Sequence, residues 1–115
     1  MSHAADRGTS AKRLASAPVF AALGDETRLS LVAKLCGGES VSISQLTKGT
    51  KLTRQAITKH LRVLESVGIV HGTRTGRESR FSFDPQPMEE LKRYLRFVSE
   101  QWDQALARLK SLVEE

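Results

Sequence analysis

Apolar residues recur every three or four positions along most of the chain, which predicts a mainly helical protein. A first helix is expected to begin near Ser10 and to stop at Gly24, with Pro18 kinking or restarting it. Residues 1–9 are expected to form a flexible tail. A second helix follows the N-cap residue Asp25 and ends at Gly37. Its predicted buried side consists of Leu29, Leu31, Val32 and Leu35.

Two further helices follow at close spacing. Ser42 caps a short third helix, and a tight connection at Gly49 leads to Thr53, which caps a fourth helix over residues 54–66. In this fourth helix the apolar positions are Ile57, Leu61 and Leu64. Two helices joined by a tight turn are typical of a helix-turn-helix, whose second helix enters the DNA major groove.

The segment after Gly68 predicts a β-hairpin. Short alternating stretches at 69–71 and 80–83 flank a basic tip containing Gly72 and Gly76. This hairpin, over about 69–83, is the wing of a winged helix-turn-helix. The predicted fold is therefore mainly α with a small β-hairpin, forming one domain over residues 10–115.

The last predicted helix, over about 88–113, carries an apolar stripe with steps of four and three residues. The apolar stripe consists of Leu91, Leu95, Val98, Trp102, Ala105, Leu109 and Leu112. Such a pattern favours pairing with a second copy of the same helix. The alternative is that the stripe packs only within its own chain. Two-fold pairing predicts a target that is an inverted repeat.

The charged residues are unevenly distributed along the chain. The chain has a net charge of +5, and between Lys51 and Arg80 lie seven of its 18 cations and two of its 13 anions. The rest of the chain is therefore neutral. A basic central segment that coincides with a helix-turn-helix pattern indicates double-stranded DNA as the partner.

The candidate DNA-contacting residues lie on the polar face of the fourth helix and on the wing. They are Thr53, Arg54, Gln55, Thr58, Lys59, Arg62, Arg74 and Arg77. Gln55 suits adenine and Arg54 suits guanine or a phosphate. Arg80 is a weaker candidate, since it is also placed to pair with Glu78. For His60 a phosphate contact and a packing role remain equally open, and His71 is expected to be structural.

Two segments resemble the ArsR family of winged-helix repressors. They are residues 20–29, FAALGDETRL, and residues 54–70, RQAITKHLRVLESVGIV. The resemblance implies a homodimeric bacterial transcription factor, usually a repressor of its own operon. Many members sense metals, but Ser42 and Ser44 stand where one metal motif has cysteines, and the last helix has Asp103 but no histidine. We therefore expect a metal-independent member that needs no cofactor and whose inducer is unknown.

Several other classes are disfavoured. A lone cysteine, Cys36, excludes a disulfide framework, and its apolar surroundings predict a buried, inert thiol. No membrane segment or secretory signal is visible, so a cytoplasmic, nucleoid-associated protein is expected. We predict no enzymatic activity, although Cys36 and His60 are a conceivable nucleophile–base pair. A redox-responsive repressor acting through Cys36, a nonspecific architectural DNA-binding protein and a protein-interaction module remain alternatives.

Overall fold

A computed structural model describes residues 16–114, most of which are helical. Helix α1 comprises residues 16–23, α2 Glu26–Leu35, α3 Ile43–Thr47, α4 Arg54–Ser66 and α5 Gln86–Glu114. The strands are β1 Val41–Ser42, β2 Val70–Thr75 and β3 Glu78–Phe83. The predicted tail over 1–9 and the predicted helix start near Ser10 lie outside the described residues. The predicted fold class, a winged helix-turn-helix with a long last helix, is confirmed.

The apolar residues of the predicted helices form one core beneath the sheet. Every side chain on the apolar side of α4 is fully buried, and Leu31 and Leu35 of α2 pack with them. Burial of these side chains fixes which side of α4 faces solvent, because residues at i, i+4 and i+7 share one helix face. The core members are Val19, Ala22, Leu31, Leu35, Ile43, Leu46, Ile57, Leu61, Leu64, Ile69, Val70, Phe81 and Leu91.

Two predictions about burial were wrong. Leu29 is 53% exposed, although it was expected in the core. It precedes the buried Leu31 by two residues, and two residues turn a helix by about 200°, so the two side chains point in nearly opposite directions. Cys36 is exposed because it is the C-cap of α2, one residue beyond the buried Leu35.

The wing spans the predicted residues, but its strands are longer than the sequence pattern predicted. The strands run almost to the tip, with Thr75 opposite Glu78, and Gly76 takes a positive φ of 63° in the turn between them. Glycine adopts this conformation without steric cost, so a short turn suffices. Arg74 therefore lies in a strand, opposite Ser79, and the loop expected over 72–79 is wrong. The two residues of β1 were not predicted; they pair with β3, giving the antiparallel order β1-β3-β2.

Helix α5 extends far beyond the core. It starts two residues earlier than predicted, with the N–H of Gln86 donating to Asp84 Oδ1 at 2.9 Å and Pro87 in the first turn, where proline is tolerated. The radius of gyration is 19.0 Å, against about 13 Å for a compact chain of this length. A long helix that protrudes from a small core leaves much of its surface without intramolecular contacts.

Candidate nucleic-acid interface

Helices α3 and α4 form the helix-turn-helix, and both begin at well-capped positions. The Ser42 hydroxyl accepts from the N–H of Gln45 at 3.1 Å, and Gln45 Oε1 accepts from the N–H of Ser42 at 3.0 Å. At the start of α4 the Thr53 hydroxyl accepts from the N–H of Ala56 at 3.1 Å. These caps satisfy backbone donors that a helix start otherwise leaves unpaired, and they fix where α4 begins.

The polar face of α4 is open to solvent, as its sequence predicted. Arg54, Gln55, Lys59 and Arg62 are exposed, whereas Thr58 is half-buried and its hydroxyl donates to the carbonyl of Arg54 at 2.7 Å. Among the described residues, the side chains of Gln55 and Lys59 make no hydrogen bond or ion pair within the chain. Their polar groups are therefore available to an external partner.

The two other cations of α4 have partners within the chain. Arg54 Nη1 donates to the Ser44 hydroxyl of α3 at 3.2 Å. Arg62 Nη1 lies 3.2 Å from Glu65 Oε1, and the Arg62 side chain is 70% exposed. Contacts of this kind between exposed groups are weak, so they orient the two guanidinium groups without withdrawing them from solvent.

The wing places its arginines in two different settings. Arg77 is exposed in the turn, and Arg74 Nε makes only a long hydrogen bond of 3.4 Å to the carbonyl of Gly76. Arg80 Nη2 instead donates to the carbonyl of Ser40 at 2.8 Å, and Arg80 Nη1 lies 3.2 Å from Glu78 Oε2. The expectation that Arg80 could pair with Glu78 is confirmed, and Arg80 ties β3 to the loop before β1.

A polar cluster that sequence reasoning missed joins α2 to α4. Asp25 caps α2 by accepting from the N–H of Arg28 at 3.0 Å, while the Arg28 guanidinium donates to the carbonyl of Ala22 and contacts His60 Nδ1 at 3.3 Å. The N–H of Arg28, and then its charge, hold the pKa of Asp25 below the usual value against the opposing effect of burial. His60 thus has a bracing contact inside the protein. The signal available in the sequence was the spacing of Asp25 and Arg28 at a helix start.

The positions that correspond to metal ligands in the resembled family have other roles. Ser42 caps α3, Ser44 contacts Arg54, and Asp103 is exposed on α5. Within residues 16–114, no three His, Cys, Asp or Glu side chains come together where they could hold a metal ion. In the same part of the chain, every helix is too short or too polar to cross a membrane.

The apolar stripe of α5 is exposed along most of its length. Leu95 is 51% exposed, Trp102 64% and Leu112 70%. Leu91, assigned above to a dimer interface, is buried in the chain's own core, because the first turns of α5 pack on that core. Leu106 and Val113 widen the exposed surface and were missed, although each follows a stripe residue, Trp102 or Leu109, by four positions.

An α-helical pair with an exposed basic helix, flanked by a projecting basic hairpin, defines a helix-turn-helix transcriptional regulator. Residues 23–73 match a family model described as a helix-turn-helix domain. The HTH-type transcriptional regulator YuzN of Bacillus subtilis (strain 168) is 35% identical over 79 residues, which cover 64% of this chain and 86% of that protein.

Solved structures identify the family. An ArsR-like transcriptional regulator from Rhodococcus sp. RHA1 is 37% identical, with a TM-score of 0.71 over 91% of this chain and 95% of that one. A second structure, of an ArsR family transcriptional regulator, is 26% identical, with a TM-score of 0.69 over 75% of this chain and 88% of that one. The chain belongs to the ArsR-like family of helix-turn-helix transcriptional regulators.

Proposed function

We propose that this regulator is a homodimeric repressor that binds an inverted-repeat operator and does so without a metal ion. The observation that carries the proposal is the amphipathic character of α4: Ile57, Leu61 and Leu64 are completely buried, and the opposite face presents exposed cations and Gln55 to solvent. A helix of this kind fits the DNA major groove, which is about 12 Å wide.

Base recognition is assigned to the first turns of α4. Gln55 can form two hydrogen bonds with adenine, and Arg54 can form two with guanine. Lys59 and Arg62 lie further along the helix and suit phosphates, as do Arg74 and Arg77 of the wing. The Thr53 hydroxyl accepts from the N–H of Ala56, so its own proton is free to contact a phosphate, whereas the Thr58 hydroxyl donates to the carbonyl of Arg54, so Thr58 contributes its methyl group.

The partner proposed for the apolar stripe is a second copy of the chain. Exposed apolar surface of this extent is uncommon on monomeric proteins and marks interaction sites. The stripe keeps the alternating four- and three-residue spacing from Leu91 to Leu112, which is the spacing by which one helix packs along an identical helix.

Comparison of two duplexes tests the proposed function. The DNA upstream of the protein's own gene and a shuffled duplex of equal length should be titrated at one fixed salt concentration. We expect binding to the upstream DNA to be at least about 10³-fold tighter. Equal affinities would support the architectural alternative. A reporter gene behind the upstream DNA should become more active when the regulator is deleted, and added Zn²⁺ should leave operator affinity unchanged.

A redox-responsive repressor is the second candidate, because Cys36 is exposed rather than buried. Oxidation of an accessible thiol adjacent to α2 would alter the end of a core helix. Under this alternative, mild oxidant lowers operator affinity of the wild type and leaves the Cys36→Ser variant unaffected. Unchanged affinity of the wild type would remove this candidate.

A further inference from the structure

Glu65 belongs to α4, the recognition helix of the helix-turn-helix, and its carboxylate lies between that helix and the wing. Its Oε2 accepts from the backbone N–H of Gly72 in β2 at 2.9 Å, and its Oε1 lies 3.2 Å from Arg62 Nη1. The N–H of Ile69, just before β2, donates to the carbonyl of Leu64 at 3.1 Å, but within residues 16–114 only the bond to Gly72 joins α4 to the strands of the hairpin, β2 and β3. Glu65 had no assigned role in the sequence interpretation.

Glycine at position 72 leaves room for the Glu65 carboxylate beside β2. A Cβ atom there would lie 2.9 Å from the Phe81 ring, closer than real Cβ atoms come, and 3.0 Å from Glu65 Oε2, so a larger residue would displace these side chains. β2 is an edge strand, so the Gly72 N–H has no partner strand on that side. The unpaired N–H of Gly72 and the space left by its missing side chain together accommodate one carboxylate, that of Glu65.

Beyond this contact the hairpin projects into solvent. Val70 and Phe81 anchor its base in the core, whereas residues 71–78 are exposed. Arg80 ties the β3 side to Ser40, and His71 ties β2 to Asp84 before α5. Neither of these contacts involves α4, so neither fixes the wing relative to the helix that enters the groove.

We infer that Glu65 is a positioning residue that couples the wing to the recognition helix, so that Arg77 reaches DNA while α4 occupies the groove. The inference rests on the proposed function. Loss of the carboxylate frees the Gly72 N–H and lets the projecting hairpin change its angle to α4. Arg77 then contributes less to binding, although the core of the domain is intact.

A double-mutant cycle tests the coupling. Operator affinity is measured for Arg77→Ala in the wild-type, Glu65→Ala and Glu65→Gln backgrounds, with thermal unfolding recorded for each protein. We expect Arg77→Ala to weaken binding roughly tenfold in the wild type, as for a charged hydrogen bond. In Glu65→Ala its effect should fall below about twofold. Glu65→Gln keeps an amide oxygen for the Gly72 N–H, so it should restore most of the Arg77 effect.

Glu78→Ala is the matched control, because it removes a carboxylate from the wing without touching Gly72. The Arg77 effect should persist in this variant. An undiminished Arg77 effect in Glu65→Ala would overturn the inference, as would loss of the effect in Glu65→Gln. Arg77→Ala binding like the wild type would also overturn it, since no wing contact would need positioning. A wild type that does not prefer its operator would instead contradict the proposed function.

Discussion

At the scale of single residues, most side chains proposed to contact DNA are exposed, and their polar groups are either unpaired or held by weak surface contacts. The side chains of Gln55 and Lys59 have no hydrogen-bond partner among the described residues, whereas Arg80 and His60 make contacts that brace the fold. A donor that is buried or already hydrogen-bonded inside the protein has little capacity left to bind a ligand, whereas an exposed and unpaired donor is available. Within the basic segment, this difference distinguishes the residues that contact DNA from the residues that support the fold.

Replacement of Gln55 by alanine should lower operator affinity by about 1–3 kcal/mol and relax the preference for one base pair, because a bidentate base contact is lost. Lys59→Ala should instead weaken binding to all sequences alike and reduce the salt slope by about one. Titrations with the operator and with single-base variants measure both effects. Gln104→Ala, an exposed change on α5, is the control, and unchanged binding by Gln55→Ala would remove that residue from the site.

Asp84 gives a prediction about pH. Its hydrogen bond with His71, at 2.8 Å, and then that with the N–H of Gln86 lower its pKa below the ordinary value of 3.8. Ionised Asp84 therefore stabilises the fold fully above about pH 4, and the effect is lost as pH falls through the lowered pKa. Asp84→Asn should reduce the free energy of unfolding at about pH 6, with a difference from wild type that shrinks below pH 4.

Denaturant unfolding across pH measures this difference, with Glu90→Gln as a control for an exposed carboxylate on α5. A difference that does not depend on pH would contradict the role given to the ionised Asp84.

Individual contacts were less predictable from sequence than exposure was. The spacing of Ile57, Leu61 and Leu64 predicted which face of α4 is exposed, because helical periodicity is local. The contacts of Glu65 with Gly72 and of Arg28 with His60 join residues distant in sequence or in different elements, and periodicity contains no information about them. Leu29 was misplaced because an apolar type alone does not determine the facing direction.

At the scale of elements, helices were predicted well and strands less well. Each helix start from α2 to α4 has a capping side chain, Asp25, Ser42 or Thr53, and the structure shows each cap formed. The outer half of the wing is polar on both faces and has no apolar alternation, so its strands were cut short. β1 has only two residues and depends on its pairing with β3, which no local pattern reveals.

Helix α5 makes a direct prediction about assembly. Leu95→Asp places a charge in the proposed dimer interface, and Trp102→Ala removes its largest side chain, so both should raise the dimer dissociation constant, the former by at least about tenfold. Sedimentation equilibrium measures this constant. Gln104→Asp, on the side away from the stripe, should have little effect, and intact dimers of Leu95→Asp would contradict the assignment.

At the scale of the whole molecule, the surplus charge, the exposed face of α4 and the apolar stripe belong to one arrangement. The entire net charge lies in the segment that contains α4 and the wing, and the remainder of the chain is neutral. Pairing along α5 would hold two such basic surfaces in fixed relation. Binding energy then depends on both surfaces meeting DNA at once, which favours a symmetric target.

Selection of bound sequences from a random duplex library would reveal whether the dimer reads a symmetric target. We expect the recovered DNA to contain an inverted repeat, with half-site centres one helical turn, about 10–10.5 base pairs, or a multiple of it apart. Complexes with two chains per repeat should accompany it. Recovery of a single asymmetric site bound by one chain, or of no enriched sequence at all, would contradict the account.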